Sequence, residues 1–287
     1  MRRRKNERIS RYIQMAKMAH QIAKAVIKPY THPNSPQVYT QPQLVACVLL
    51  KIYLNISYRD MEEWLAASDR LCEALELEWI PDHTTLYRAY QRLREPILRQ
   101  LNYLLLRHCE VVESAVAVDA TGLRTSKASQ HYITRSGKKF TNWFKGFFAV
   151  GIERQFILSW CSDKGPGGLD AKHLNRLRQR AKPFAYRVKN RLEWIILGDK
   201  GFDGKDALPT DLIPPRQARR RAKRRDRILR ADLTDMARLD GFFGQRWKVE
   251  TVNSVVKRLM GDVLPSRKYR HIHRDVGMKA IAYNLHR

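Results

Sequence analysis

Ala115-Val-Ala-Val118-Asp119-Ala-Thr-Gly122 is where the chain changes character. Short apolar residues of this kind suit a strand packed on both faces, and the run ends abruptly in a carboxylate. Leu192-Glu-Trp-Ile-Ile-Leu197 repeats the pattern and ends in Gly198-Asp199-Lys-Gly201. Between them lie two β-like runs, Trp143–Ile152 and Gln155–Trp160, then a Gly165-Pro-Gly-Gly168 turn and a helix over 170–182. Asp211-Leu-Ile-Pro-Pro215 reads as a short strand that its prolines confine to an edge. Three strands, a helix, a strand, an edge strand and a final helix predict an α/β sheet of mixed direction with flanking helices.

Asp119 and Asp199 thus stand at the C-terminal ends of apolar strands, the edge where ligands collect in open α/β sheets. A carboxylate beside a dry core is costly to ionise without a compensating cation. Either acid alone reads equally well as a turn residue. A third acid strengthens the case. In Arg246-Trp-Lys-Val-Glu250-Thr-Val-Asn-Ser-Val-Val-Lys257, about 100° per residue brings Arg246, Glu250, Asn253 and Lys257 within roughly 60° of one another. Val249, Val252, Val255, Val256 and Leu259 occupy the other side. The polar face sets one carboxylate between two cations, which suits a metal-bound phosphate.

Upstream, residues 1–110 read as almost wholly helical. Thr40 caps a helix with Leu44, Val45, Val48, Leu49, Ile52 and Tyr53 on its apolar side, and Ser57-Tyr-Arg-Asp60 is a capping box opening a second. Pro81-Asp82-His83-Thr84-Thr-Leu86 opens a third helix, with Leu86, Tyr87, Tyr90 and Leu93 inward. A short helix, a connector and a helix starting with His83, Thr84 and Arg88 resemble a helix-turn-helix; plain helical packing reads nearly as well.

The chain has 287 residues, 55 Lys and Arg against 28 Asp and Glu, and a formal charge of +27. Such an excess repels itself unless the usual partner is a polyanion, so double-stranded DNA is the expected partner. No apolar run of about 18 residues indicates a membrane span. The start, Met-Arg-Arg-Arg-Lys, has no apolar stretch of a secretory signal and leads into an amphipathic helix. Nine cations and one acid fill 216–230, among them Arg216, Arg220 and Arg224; this reads as a solvated segment able to track a phosphate backbone. Cys47, Cys72, Cys109 and Cys161 follow no zinc or disulfide spacing and read as reduced core cysteines of an intracellular protein. His271-Ile-His273 reads as polar surface rather than a metal pair.

Carboxylate oxygens are the ligands Mg²⁺ prefers, and two ions about 3.5–4 Å apart serve phosphodiester chemistry from both sides of the phosphorus. Asp119 in Val-Asp-Ala-Thr, Gly198-Asp199-Lys-Gly201-Phe-Asp203 and Arg246-x3-Glu250-x6-Lys257 resemble, in order, the catalytic blocks of DDE-type insertion-sequence transposases. Ser57-Tyr-Arg-Asp-Met-Glu-Glu-Trp-Leu65, Pro81-Asp-His-Thr-Thr-Leu86 and Ala282-Tyr-Asn-Leu285 are similar to other parts of the same group, so the resemblance runs from about Gln41 to the end. Phe243 stands where the family often has a tyrosine, which keeps the ring and removes a hydroxyl.

The resemblance implies an RNase H-like catalytic domain over 111–287, after a DNA-binding domain over 1–110. Asp119, Asp199 and Glu250 would be catalytic and hold Mg²⁺ or Mn²⁺, two ions per site. Arg246, Lys257, Asn253, Lys200, Arg216, Arg220, Arg224, His83, Thr84 and Arg88 are the expected DNA contacts. Asp203, four residues after Asp199, is expected to cap the loop or support the site rather than bind metal. The implied activity is cleavage at element ends and joining of the 3′-hydroxyl to target DNA, by a prokaryotic cytoplasmic, nucleoid-associated protein acting as a homodimer or higher oligomer. The competing readings are a non-catalytic DNA-binding regulator derived from a transposase, and an RNase H-like nuclease or resolvase that cuts without strand transfer.

Overall fold

The structure is a computed structural model that describes residues 9–287 apart from 31, 33, 35, 126–134, 136–142, 166–168, 189–190, 193, 217–223 and 267. The basic start, most of the polar excursion 127–139, all but the first residue of the Gly-Pro-Gly-Gly turn and Arg220 therefore lie outside the described residues. The chain divides into two compact units, 1–105 with 281–287, and 106–280.

The first unit is helical: α1 (Arg11–Val26), α2 (Gln41–Leu54), α3 (Tyr58–Ala66), α4 (Asp69–Ala74), α5 (His83–Arg92) and most of α6 (Glu95–His108). Its starts are written in the sequence. The Thr40 hydroxyl accepts from the Gln43 backbone N–H while Gln43 Oε1 accepts from the Thr40 N–H at 2.8 Å. Ser57 and Asp60 exchange the same pair of bonds at 3.0 and 3.1 Å, and each such cap contributes about 1 kcal/mol. Asp82 caps α5 by accepting from the N–H and hydroxyl groups of Thr84 and Thr85, which hold its carboxyl well below the usual range. Helices α3 and α5 pack together, with α4 and the loop 75–82 between them in sequence. That connection is longer than the turn of about three or four residues in a helix-turn-helix.

The second unit is an RNase H-like α/β fold. Strands β1 (Ala115–Arg124), β2 (Trp143–Gly151), β3 (Ile157–Lys164) and β6 (Ile195–Gly198) form one mixed sheet in the order β3-β2-β1-β6. A separate two-residue ribbon pairs β4 (Arg187–Val188) with β5 (Arg191–Leu192). β1 runs antiparallel to β2 and parallel to β6. Helix α7 (Ala171–Ala181) lays Leu174, Leu177 and Ala181 against a core of Val116, Val118, Phe147, Leu158 and Phe202. Helix α9 (Trp247–Met260) covers the sheet over β1 and β2 with Val249, Val252 and Val256. Between β6 and α9 lies α8 (Arg224–Leu239), and α10 (Tyr269–His286) ends the chain. Gly277 of α10 passes so close to Trp160 that an added Cβ would stand 2.8 Å from the indole nitrogen.

Several elements depart from the pattern-based expectation. β1 does not stop at Val118 but continues to Arg124, because Thr121, Gly122, Leu123 and Arg124 find partners in Gly146, Lys145, Phe144 and Trp143. Its far end is fastened by Arg124, whose guanidinium makes two 2.8 Å bonds to Asp262. The edge strand at 211–215 shrinks to one parallel bridge, Leu197 with Leu212. Part of the basic segment is not a loop, since 224–239 is helical and buries Arg230, Thr234 and Ala237. His271 is buried, and His273 bonds Ser162 and stacks edge-on to Phe144 and Tyr269, so neither is plain polar surface. All four cysteines are free, Cys47 and Cys161 buried and the other two half-buried.

Candidate active site

The parallel register of β1 and β6 ends with Val118 beside Gly198, so Asp119 and Asp199 follow at neighbouring strand positions. Both carboxylates leave a dry sheet at the same edge. Asp119 is half-buried, and its carboxyl is pushed up to about 6. Burial is the main cause; the Ala120 backbone N–H and Arg246 pull it down, and the negative charges of Asp199 and Glu250 raise it further. One side chain thus feels both other acids of the motif, and the cation beside them.

Each acid is also held by the protein. Asp199 Oδ1 accepts from the Gly201 N–H at 2.9 Å and starts a 3₁₀ turn over Lys200–Phe202. Glu250 lies on the first turn of α9, half-exposed, and pairs with Arg246 at 2.6 Å. Asp119 Oδ2 accepts from Asn253 Nδ2 at 2.9 Å. Among the described residues no three His, Cys, Asp or Glu side chains stand close enough to hold a metal ion. Each acid instead meets a donor of the protein, Asn253, the Gly201 N–H or Arg246. The donor set itself fits a hard divalent cation, because carboxylate oxygens at a strand edge are its preferred ligands and Asp119 is costly to keep charged without one. Asn253 Oδ1, sealed from solvent and without a partner, adds an unused acceptor at the same place.

Around this centre the structure adds partners that the sequence did not assign. A Cβ on Gly201 would lie 2.8 Å from Asp199 Oδ1 and 3.1 Å from Asp170 Oδ2, so two carboxylates crowd the glycine and a side chain there would push the Asp199 carboxylate aside. Asp170 is balanced by Lys145 at 2.8 Å. Asp203 is buried and serves as an anchor: its Oδ1 meets buried Arg230 at 2.5 Å, and its Oδ2 accepts from the Arg216 backbone N–H at 2.8 Å. Arg227 stands 3.9 Å from the same carboxylate. No sequence spacing signals these pairs, because they join residues 13 to 27 positions apart through tertiary packing.

The expected DNA contacts separate into groups. Arg246 pairs with Glu250 and pulls the Asp119 carboxyl down, and Lys257 lies half-buried within range of Asp262. Asn253 turns inward, only 5% exposed. Lys200 is exposed beside Asp199, while the Arg216 side chain is committed to the backbone carbonyls of Lys200 and Gly201 at 2.7 and 3.0 Å. Arg224 opens α8. In the other unit, Thr84 and Arg88 are exposed on α5, and His83 is tied by its ring and its N–H to Glu62 at 3.0 and 2.9 Å. Phe243 keeps a role without a hydroxyl, since the Arg238 guanidinium lies 5.2 Å from its ring.

Residues 111–285 match the family described as the transposase DDE domain. Over 252 residues, 81% of this chain and 73% of the relative, the chain is 26% identical to an uncharacterized protein of Aquifex aeolicus.

Proposed function

Because the chain belongs to the transposase DDE domain family, a family of transposases that act on DNA with divalent metal ions, we propose that it cleaves the ends of its own element and joins the freed 3′-hydroxyl to target DNA by two-metal-ion phosphoryl transfer. The observation that carries this reading is the parallel register of β1 and β6, which pairs Val118 with Gly198 and so sets Asp119 and Asp199 next to each other at the strand ends. In this reading Asp119, Asp199 and Glu250 hold Mg²⁺ or Mn²⁺, which when bound activates the attacking oxygen and eases departure of the leaving one. Arg246 offsets charge on the phosphate, and Lys200 and Lys257 hold the strand beside it. Transfer in this reading is direct: water breaks the first phosphodiester and the 3′-oxygen leaves, then that 3′-hydroxyl attacks a target phosphorus and displaces its 3′-oxygen. Two ends require two sites, which favours a homodimer or higher oligomer on DNA.

Asp119→Asn, Asp199→Asn and Glu250→Gln should each retain binding to end-containing DNA and abolish nicking with Mg²⁺ or Mn²⁺. Normal cutting and joining by the Glu250→Gln protein would refute the site. Cutting by the wild type without joining would assign a resolvase-like nuclease instead, and binding without any cutting a regulator.

A further inference from the structure

The inner stripe of α9 consists of Val249, Val252, Val256 and Met260, each at most 1% exposed, and Asn253 stands among them at 5%. On hydrophobic grounds an aliphatic residue belongs there, and a buried amide has to be explained by its hydrogen bonds. Nδ2 has one, to Asp119 Oδ2 at 2.9 Å, while Oδ1 has none although it is sealed from solvent. An ionised carboxylate only accepts, so it is the amino end of the amide that faces Asp119. The core gains nothing from the leftover carbonyl. The amide is therefore accounted for by Asp119 and not by packing. Asn253 also lies three residues after Glu250, one turn along the same helix.

We propose that Asn253 is a positioning residue of the metal site: by holding one oxygen of Asp119 it fixes the direction in which that carboxylate offers its remaining lone pairs to a divalent cation, and it ties that direction to the helix carrying Glu250. This rests on the site assignment made above and gives Asn253 a role other than DNA contact. Outer partners of metal-binding carboxylates and imidazoles commonly govern metal affinity by about 10- to 100-fold.

The test uses the full-length chain, with Mn²⁺ as the probe. Asn253→Leu completes the apolar stripe and removes the donor; Asn253→Met also removes the donor and adds no carboxylate to the site. Calorimetric titration should show Mn²⁺ binding about 10- to 100-fold weaker in both than in the wild type. The Mn²⁺ concentration that half-saturates cleavage should rise by the same factor, with the rate recovering at high Mn²⁺. Affinity for end DNA in the presence of EDTA should not change. Wild-type Mn²⁺ affinity in either folded variant overturns the proposal, and so does a loss of DNA binding in EDTA, which would make Asn253 a DNA contact. Failure of both variants to fold would make the amide a packing requirement and overturn it as well. Asp119→Asn separates the two levels of inference. If it also binds Mn²⁺ normally, the site assignment fails; if it alone loses Mn²⁺, only the role of Asn253 fails.

Discussion

Asp119 shows what a single residue costs and gains. Its ordinary value of 3.8 rises to about 6 in the fold, so between those values the folded chain keeps a proton that the unfolded chain has released. Stability therefore falls as pH rises through that window, and above it the fold carries a penalty on the order of 2–3 kcal/mol. Asp119→Asn should make the metal-free protein more stable than the wild type at pH 8. The gap should close below about pH 4, where both side chains are neutral. Thermal unfolding at the two pH values measures this, and an Asn variant no more stable than the wild type at pH 8 would contradict it. Mn²⁺ should raise the Tm of the wild type and not of the variant, because the ion removes the penalty only where the carboxylate exists.

Among the elements, α8 is the one whose sequence most conceals it. Its opening Arg-Arg-Asp-Arg reads as solvated charge, yet Arg230 inside it is 3% exposed and closes on Asp203. Asp203→Ala would strand that buried guanidinium, and a loss of about 3–5 kcal/mol is expected from urea unfolding. Replacing Arg230 by Met and Asp203 by Asn together should recover a large part of it. The legible elements were those whose signal is local: the capping boxes at Thr40 and Ser57, the apolar start of β1, and the two-faced helix from Arg246 to Lys257. What was hidden depended on partners remote in sequence. β1 continues through Ala-Thr-Gly-Leu-Arg only because β2 lies alongside, and Asn253 points inward only because Asp119 awaits it. The three acids were legible by their placement on strand ends and helix face. Asp203 was legible as a residue of the loop, whereas its partner Arg230, the inward turn of Asn253, and Asp170 with Lys145 were not.

For the whole molecule, charge sets the terms of encounter. With +27 on 287 residues, attraction to DNA is mainly release of counterions, and affinity for unrelated duplexes should fall steeply between about 50 and 200 mM salt. The slope of log affinity against log salt measures about 0.9 per phosphate neutralised. Exchanging exposed Lys200 and Arg88 for Gln should shallow that slope by about one for each cation that touches a phosphate. An unchanged slope would remove both residues from the binding surface. The grouping of 281–287 with the first compact unit was not evident from composition, which changes only at the first strand.

Asp203 receives Arg216 on one oxygen and Arg230 on the other, so the stretch between them starts and finishes at a single point. A segment closed in this way is topologically an insert. Doubling its length adds only about 0.6 kcal/mol of closure entropy, and its sequence can drift while the sheet and the three acids stay as they are. Closure thus rests on one carboxylate, and losing Asp203 would release both ends of the segment at once.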